Sequence, residues 1–101
     1  MKALGEKYAN QFPDRTAEIK SLWVKVAGDP TDLEALNTLY RLVHGLAGSG
    51  ATFGFPQLSE AARQCEHTLL GGIESGLLEF DEAKNQLDMV LSELEGKMPS
   101  G

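Results

Sequence analysis

Apolar residues along the chain return at helical intervals, and no stretch of any length alternates with a period of two. Leu4, Tyr8 and Phe12 recur every fourth residue, which predicts a short first helix over about residues 2–12, with Pro13 breaking its register. Ile19, Leu22, Trp23 and Val26 mark a second helix, closed by Gly28-Asp29-Pro30. Thr31-Asp32-Leu33-Glu34 reads as a capping box, in which the Thr31 hydroxyl accepts from the Glu34 N–H and Glu34 reaches back. The third helix carries Leu36, Leu39, Val43, Leu46, Gly50 and Phe53 at steps of three and four, a narrow apolar seam that Gly54 ends. Pro56 opens a fourth helix with a stripe of Leu58, Ala61, Ala62, Cys65 and Leu69, ending near Gly71-Gly72. Phe80, Ala83, Leu87, Val90, Leu91 and Leu94 define a fifth, stopped by Gly96 and Pro99, with Asp81 as a candidate cap. Short connections make successive helices antiparallel. The expected fold is all-α: one domain over residues 1–101, an antiparallel four-helix bundle over about residues 14–96 with an additional short N-terminal helix on one end. Trp23, Phe53 and Phe80 are expected in the core.

Composition narrows the function more than the fold. A chain of 101 residues, 42% hydrophobic and 24% charged, holds one modest globular core. Its formal charge of −6 argues against nucleic acid and against an anionic membrane surface. No apolar run approaches the ~20 residues that span a bilayer, and Met1-Lys2-Ala3-Leu4-Gly5-Glu6 is too polar for a signal peptide. The lone cysteine, Cys65, has no partner for an internal disulfide, so a reducing, cytoplasmic setting is expected. His44, Cys65 and His67 lack the usual spacing of metal ligands. The expected partner is another protein, with no metal and no small-molecule substrate.

Candidate chemistry centres on His44. On a helical wheel it lies roughly 130° from the centre of the third helix's seam, which turns the imidazole towards solvent. Gly48 follows one turn later, and Gly45, Gly48 and Gly50 all fall within a stretch of helix where each costs ~1 kcal/mol relative to Ala. The cleared space lies beside the ring. Between Glu34 and Glu60 the only formally charged residue is Arg41, although the chain has 15 carboxylates. A phosphoryl group arriving on a ring nitrogen would meet little like-charge repulsion there, and Arg41, three residues before His44, offers a cation. Exposed histidines on helices are mostly plain surface residues, and glycines also serve close helix packing. Periodicity and charge by themselves name no reaction.

The run His44-Gly45-Leu46-Ala47-Gly48-Ser49-Gly50-Ala51-Thr52-Phe53-Gly54, followed by Leu58 and by Ala61-Ala62-Arg63-Gln64-Cys65-Glu66, resembles the signature of histidine-containing phosphotransfer (Hpt) domains. That pattern is His-x-Leu-Lys-Gly-Ser, a further glycine, then an amphipathic helix. Asp29-Pro30 and the spacing of Leu36, Leu39 and Arg41 are similar as well. The resemblance implies that His44 accepts a phosphoryl group from an aspartyl phosphate and yields it to another aspartate. Those aspartates belong to receiver domains of response regulators or hybrid sensor kinases. It implies attack by the outer ring nitrogen while a hydrogen bond holds the inner one. The family often uses a Gln on the next helix for that bond, which makes Gln64 the candidate. Gly48 would keep the approach open, and Ser49 would serve the helix contact or face the site. Many members carry Lys or Arg where this chain has Ala47, a departure that leaves Arg41 as the candidate compensating charge. A receiver brings its own aspartate, metal ion and most of the charge neutralisation, so the domain is expected to be a cofactor-free carrier and not an enzyme. The alternatives are a helical docking or adaptor module that binds a receiver or kinase without taking phosphate, and a regulatory subunit outside any phosphorelay.

Overall fold

Most of the apolar stripes in the sequence become inner sides of helices in the computed structural model, which describes residues 7–29 and 31–96. The helices are α1 (Phe12–Gly28), α2 (Leu33–Ser49), α3 (Pro56–Ser75) and α4 (Phe80–Gly96), with no strand among the described residues. α2 packs most extensively on α3 and α3 on α4, and α1 closes the ring against both α2 and α4. The result is an elongated four-helix bundle of 42 × 22 × 20 Å. Its core runs the length of the bundle through Ile19 and Val26, Leu36, Leu39 and Val43, Leu58, Ala62, Cys65 and Leu69, and Leu87, Val90 and Leu94. Each fully buried Leu, Ile or Val contributes about 1.5–3 kcal/mol relative to an exposed one.

The short N-terminal helix is joined to α1 and does not stand apart from it. Residues 7–9 form a helical turn that passes through residues 10–11 into α1, while the remainder of the expected helix lies outside the described residues. Pro13 sits within the first turn of α1, where its missing N–H has no intrahelical acceptor to lose. Tyr8 stacks on Phe53 at 4.7 Å and meets Phe12 edge-on at 5.4 Å. Phe55 completes this aromatic plug, edge-on to Phe12 at 5.2 Å. Trp23 and Phe80 pair at 4.8 Å near the opposite end. Trp23, Phe53 and Phe80 are therefore half-buried end pieces and not core residues.

Helix ends depart from the sequence reading wherever a tertiary or side-chain bond decides them. The cap of α2 is Asp32, whose carboxylate accepts from the Ala35 N–H at 3.1 Å, and not Thr31. Thr31 is engaged elsewhere: its hydroxyl and its N–H both donate to Asp29 Oδ1, at 2.5 and 3.1 Å. Those bonds, the hydroxyl's first, hold the Asp29 carboxyl below its ordinary value. α2 stops at Ser49 and does not continue to Phe53, because its end is stitched to α3. Ser59, buried, donates to the otherwise orphaned Ala47 carbonyl at 2.5 Å, and the Phe55 N–H donates to Gly50 O at 2.8 Å. Gly54, at φ 94°, turns the chain between the two helices. α3 runs through Gly71-Gly72 and ends only at Gly76, a left-handed C-cap. Gly72 is kept for space: a Cβ there would stand 2.7 Å from Leu78 Cδ1. Asp81 lies inside the first turn of α4, not ahead of it.

Candidate functional site

Val43 and Leu46 commit one side of α2 to the core, and His44 is left facing out with 65% of its side chain exposed. Its ring lies at a 20° angle over Tyr40, one turn earlier, with centroids 5.8 Å apart. Its Nδ1 is 2.5 Å from Oε2 of Glu66 on α3. A carboxylate only accepts, so Nδ1 carries the hydrogen and donates, and in the neutral ring the lone pair resides on Nε2. Among the described residues nothing bonds to Nε2, so the arrangement presents a nucleophilic nitrogen at the bundle surface.

Glu66 replaces Gln64 as the residue that holds the ring. Gln64 lies on the other flank of α3, lining a groove with Gln57, Glu60, Met89 and Glu93. The surroundings of His44 are consequently not free of carboxylate, as the charge gap along α2 suggested. One acidic group, 81% removed from solvent by its 19% exposure, comes across from α3 and meets the inner nitrogen. Glu66 directly follows Cys65 of the buried stripe, and this boundary position was the available sign.

The remaining candidates fall into distinct places. Gly48 is exposed, and a Cβ added there would meet nothing within 4 Å, so this side of the ring is open. Ala47 is buried at 5% exposure, and its carbonyl takes the Ser59 hydroxyl. Arg41 lines the groove between α1 and α2, with Arg15, Glu18 and Thr38, on the flank of α2 away from Glu66. Ser49 belongs to the helix contact: its hydroxyl donates to Gly45 O at 2.7 Å, leaving the Tyr8 hydroxyl to donate to Ser49 Oγ at 2.7 Å. Among the described residues no three His, Cys, Asp or Glu side chains gather as a metal site requires. None of the described helices is long and apolar enough to cross a membrane.

Over residues 4–97 the sequence matches the family model for the Hpt domain. The chain belongs to the Hpt domain family. No solved structure matches it. Hpt domains serve histidine phosphotransfer in two-component phosphorelays, where they are phosphoryl carriers that interact with receiver domains. An outward imidazole with a fixed tautomer is the geometry such a carrier needs.

Cys65 is next to this site in sequence but takes no part in it. Its side chain is fully buried, and burial, aided by the Glu66 charge, pushes the thiol up to about 12. The thiolate is the reactive form. Native protein at about pH 8 is therefore expected to react with a thiol reagent at least ~100-fold more slowly than urea-unfolded protein. Absorbance stopped-flow with Ellman's reagent measures both rates.

Proposed function

We propose that His44 Nε2 is the phosphoryl acceptor and donor of this Hpt domain, carrying the group between receiver-domain aspartates. The Nε2 lone pair forms a bond to the phosphorus of an aspartyl phosphate. The bond from phosphorus to the aspartyl oxygen breaks, and its electron pair leaves with the receiver's carboxylate. The ring keeps its Nδ1 proton and becomes formally cationic, with the Glu66 carboxylate already against that edge. On discharge a second receiver's carboxylate oxygen attacks the phosphorus, and the N–P electron pair returns to Nε2. The chain contributes positioning and charge, which is most of what phosphoryl transfer asks of a protein. The observation that carries the reading is the single exposed imidazole whose inner nitrogen is tied to Glu66.

The test is transfer from a panel of receiver domains charged with acetyl phosphate. The expected product is a label on this chain that is labile in acid and stable in base, the behaviour of an N–P bond, mapping to the peptide containing His44. Receivers that bind the chain but leave it unlabelled would replace this reading with that of a docking or adaptor module.

A further inference from the structure

We propose that Arg63 on α3 supplies the cation for the phosphoryl group on His44, doing from across the helix seam what no residue of α2 does. The inference rests on the reading of His44 as acceptor. The need for such a charge comes from the group itself, which brings about −1.5 to −2 charges to Nε2. α2 cannot meet it, because Ala47 is buried and uncharged and Arg41 lies on the flank facing α1.

The register of the two helices places Arg63. His44 Nδ1 bonds to Glu66, and the Ala47 carbonyl accepts from Ser59, so α2 and α3 run in opposite directions along their contact. One turn forward from His44 to Ala47 therefore accompanies one turn back from Glu66 to Arg63. Arg63 lies between Ser59 and Glu66 along α3, alongside the stretch of α2 from His44 to Ala47. It also lines a surface groove with Tyr40, Glu66, His67 and Leu70, and Tyr40 and Glu66 are the residues that touch the His44 ring. The groove is thus bordered by both residues that touch the ring, and Arg63 is the guanidinium within it.

The side chain is free to serve. Its ion pair among the described residues is a 3.4 Å contact with Glu60, both partners more than 60% exposed, on the same helix. Such contacts are weak and readily exchanged. A dianionic phosphoryl group offers a guanidinium two parallel N–H···O bonds in place of that one long contact. The other charged or titratable groups at this groove are Glu66, already committed to Nδ1, His67 and Tyr40. No bond changes at Arg63; it neutralises charge on the group that His44 holds.

The experiment measures single-turnover loading of the full chain by a phosphorylated receiver, with the rate at saturating receiver separated from the half-saturating concentration, for wild type and for Arg63→Ala, Arg63→Glu and Arg63→Lys. Expected is a saturating transfer rate about tenfold lower for Arg63→Ala, lower still for Arg63→Glu, and within about threefold of wild type for Arg63→Lys. The deficit of Arg63→Ala should shrink as ionic strength rises from about 0.01 to 1 M, where screening acts within ~3 Å. Thermal unfolding of each variant checks that the fold is intact; Arg63 is 62% exposed, so no large change is expected. A wild-type saturating rate in both Arg63→Ala and Arg63→Glu, with the label on His44, overturns the assignment and leaves the function of His44 standing. So does an effect confined to the half-saturating receiver concentration, which would make Arg63 a docking contact. A wild-type chain that takes no label overturns both.

Discussion

A chain carrying His44→Gln is expected to take no acid-labile label from any receiver, whereas Glu66→Ala takes it about tenfold more slowly. The first effect is total because the glutamine amide has no ring nitrogen with a free lone pair, and among the described residues His67, the other histidine, has no partner holding its inner nitrogen as His44 has. The fold should survive it. His44 is 65% exposed, glutamine is a better helix former than histidine, and an ion pair this accessible contributes about 0–1 kcal/mol. The second effect is partial because Glu66 selects a tautomer and offsets a charge without forming or breaking a bond itself. A hydrogen bond to a charged group contributes ~1.5–3 kcal/mol when well shielded. Solvent at the His44 ring trims that towards the 1.36 kcal/mol of one factor of ten. Glu66→Gln distinguishes the two contributions: its amide oxygen still accepts from Nδ1–H but carries no charge, so its rate should fall between wild type and Glu66→Ala. Phosphotransfer time courses, with circular dichroism as the control for folding, check all three. Wild-type loading by Glu66→Ala would mean that the tautomer is set by something other than α3.

What the sequence could and could not disclose follows from the kind of force at each place. Core faces were legible, because a buried stripe on a helix must repeat at three and four residues, and Leu36, Leu39, Val43 and Leu46 do so and are all buried. The outward direction of His44 followed from the same geometry. The partner of its ring was not legible. Gln64 and Glu66 flank Cys65 on either side of one stripe, and periodicity does not say which flank turns to α2 and which to α4. That depends on the hand of the bundle, and the hand gives Glu66 to His44 and Gln64 to the groove beside Met89. Helix ends failed for a related reason. A glycine or a threonine marks where a helix is able to stop or start, but Ser59 and the Asp29 carboxylate decide where it does. The glycines of α2 looked alike in sequence for the same cause: their purpose depends on what stands opposite each.

Gly48 and Gly50 should accordingly respond in opposite directions to the same added methyl group. At Gly48 a Cβ meets nothing within 4 Å, so Gly48→Ala is expected to leave stability unchanged or raise it by up to about 1 kcal/mol through helix propensity. At Gly50 the Cβ would lie 2.9 Å from Leu46 O and 3.1 Å from both Phe55 O and Ser59 N. All of these are backbone atoms, and none can rotate aside. Ser59 N and Phe55 O are moreover bonded to each other at 3.1 Å at the start of α3, so the methyl group would wedge between the end of α2 and that first turn. Gly50→Ala is expected to cost about 1–3 kcal/mol, the usual range for overpacking, and to lower Tm by roughly 4–8 °C for each kcal/mol. Urea titration of the two variants beside wild type reads the difference as opposite shifts in midpoint. The consequence extends to the site, because the same junction fixes the register that sets Glu66 against His44. Gly50→Ala should weaken that contact and slow loading even at temperatures where the chain stays folded. Gly48→Ala should slow loading for a separate reason, by placing a methyl group in the open space beside the imidazole while the register stays intact. Equal stability in the two variants would show that α3 can retreat from α2 at little cost, and the account of how His44 is held would fall with it.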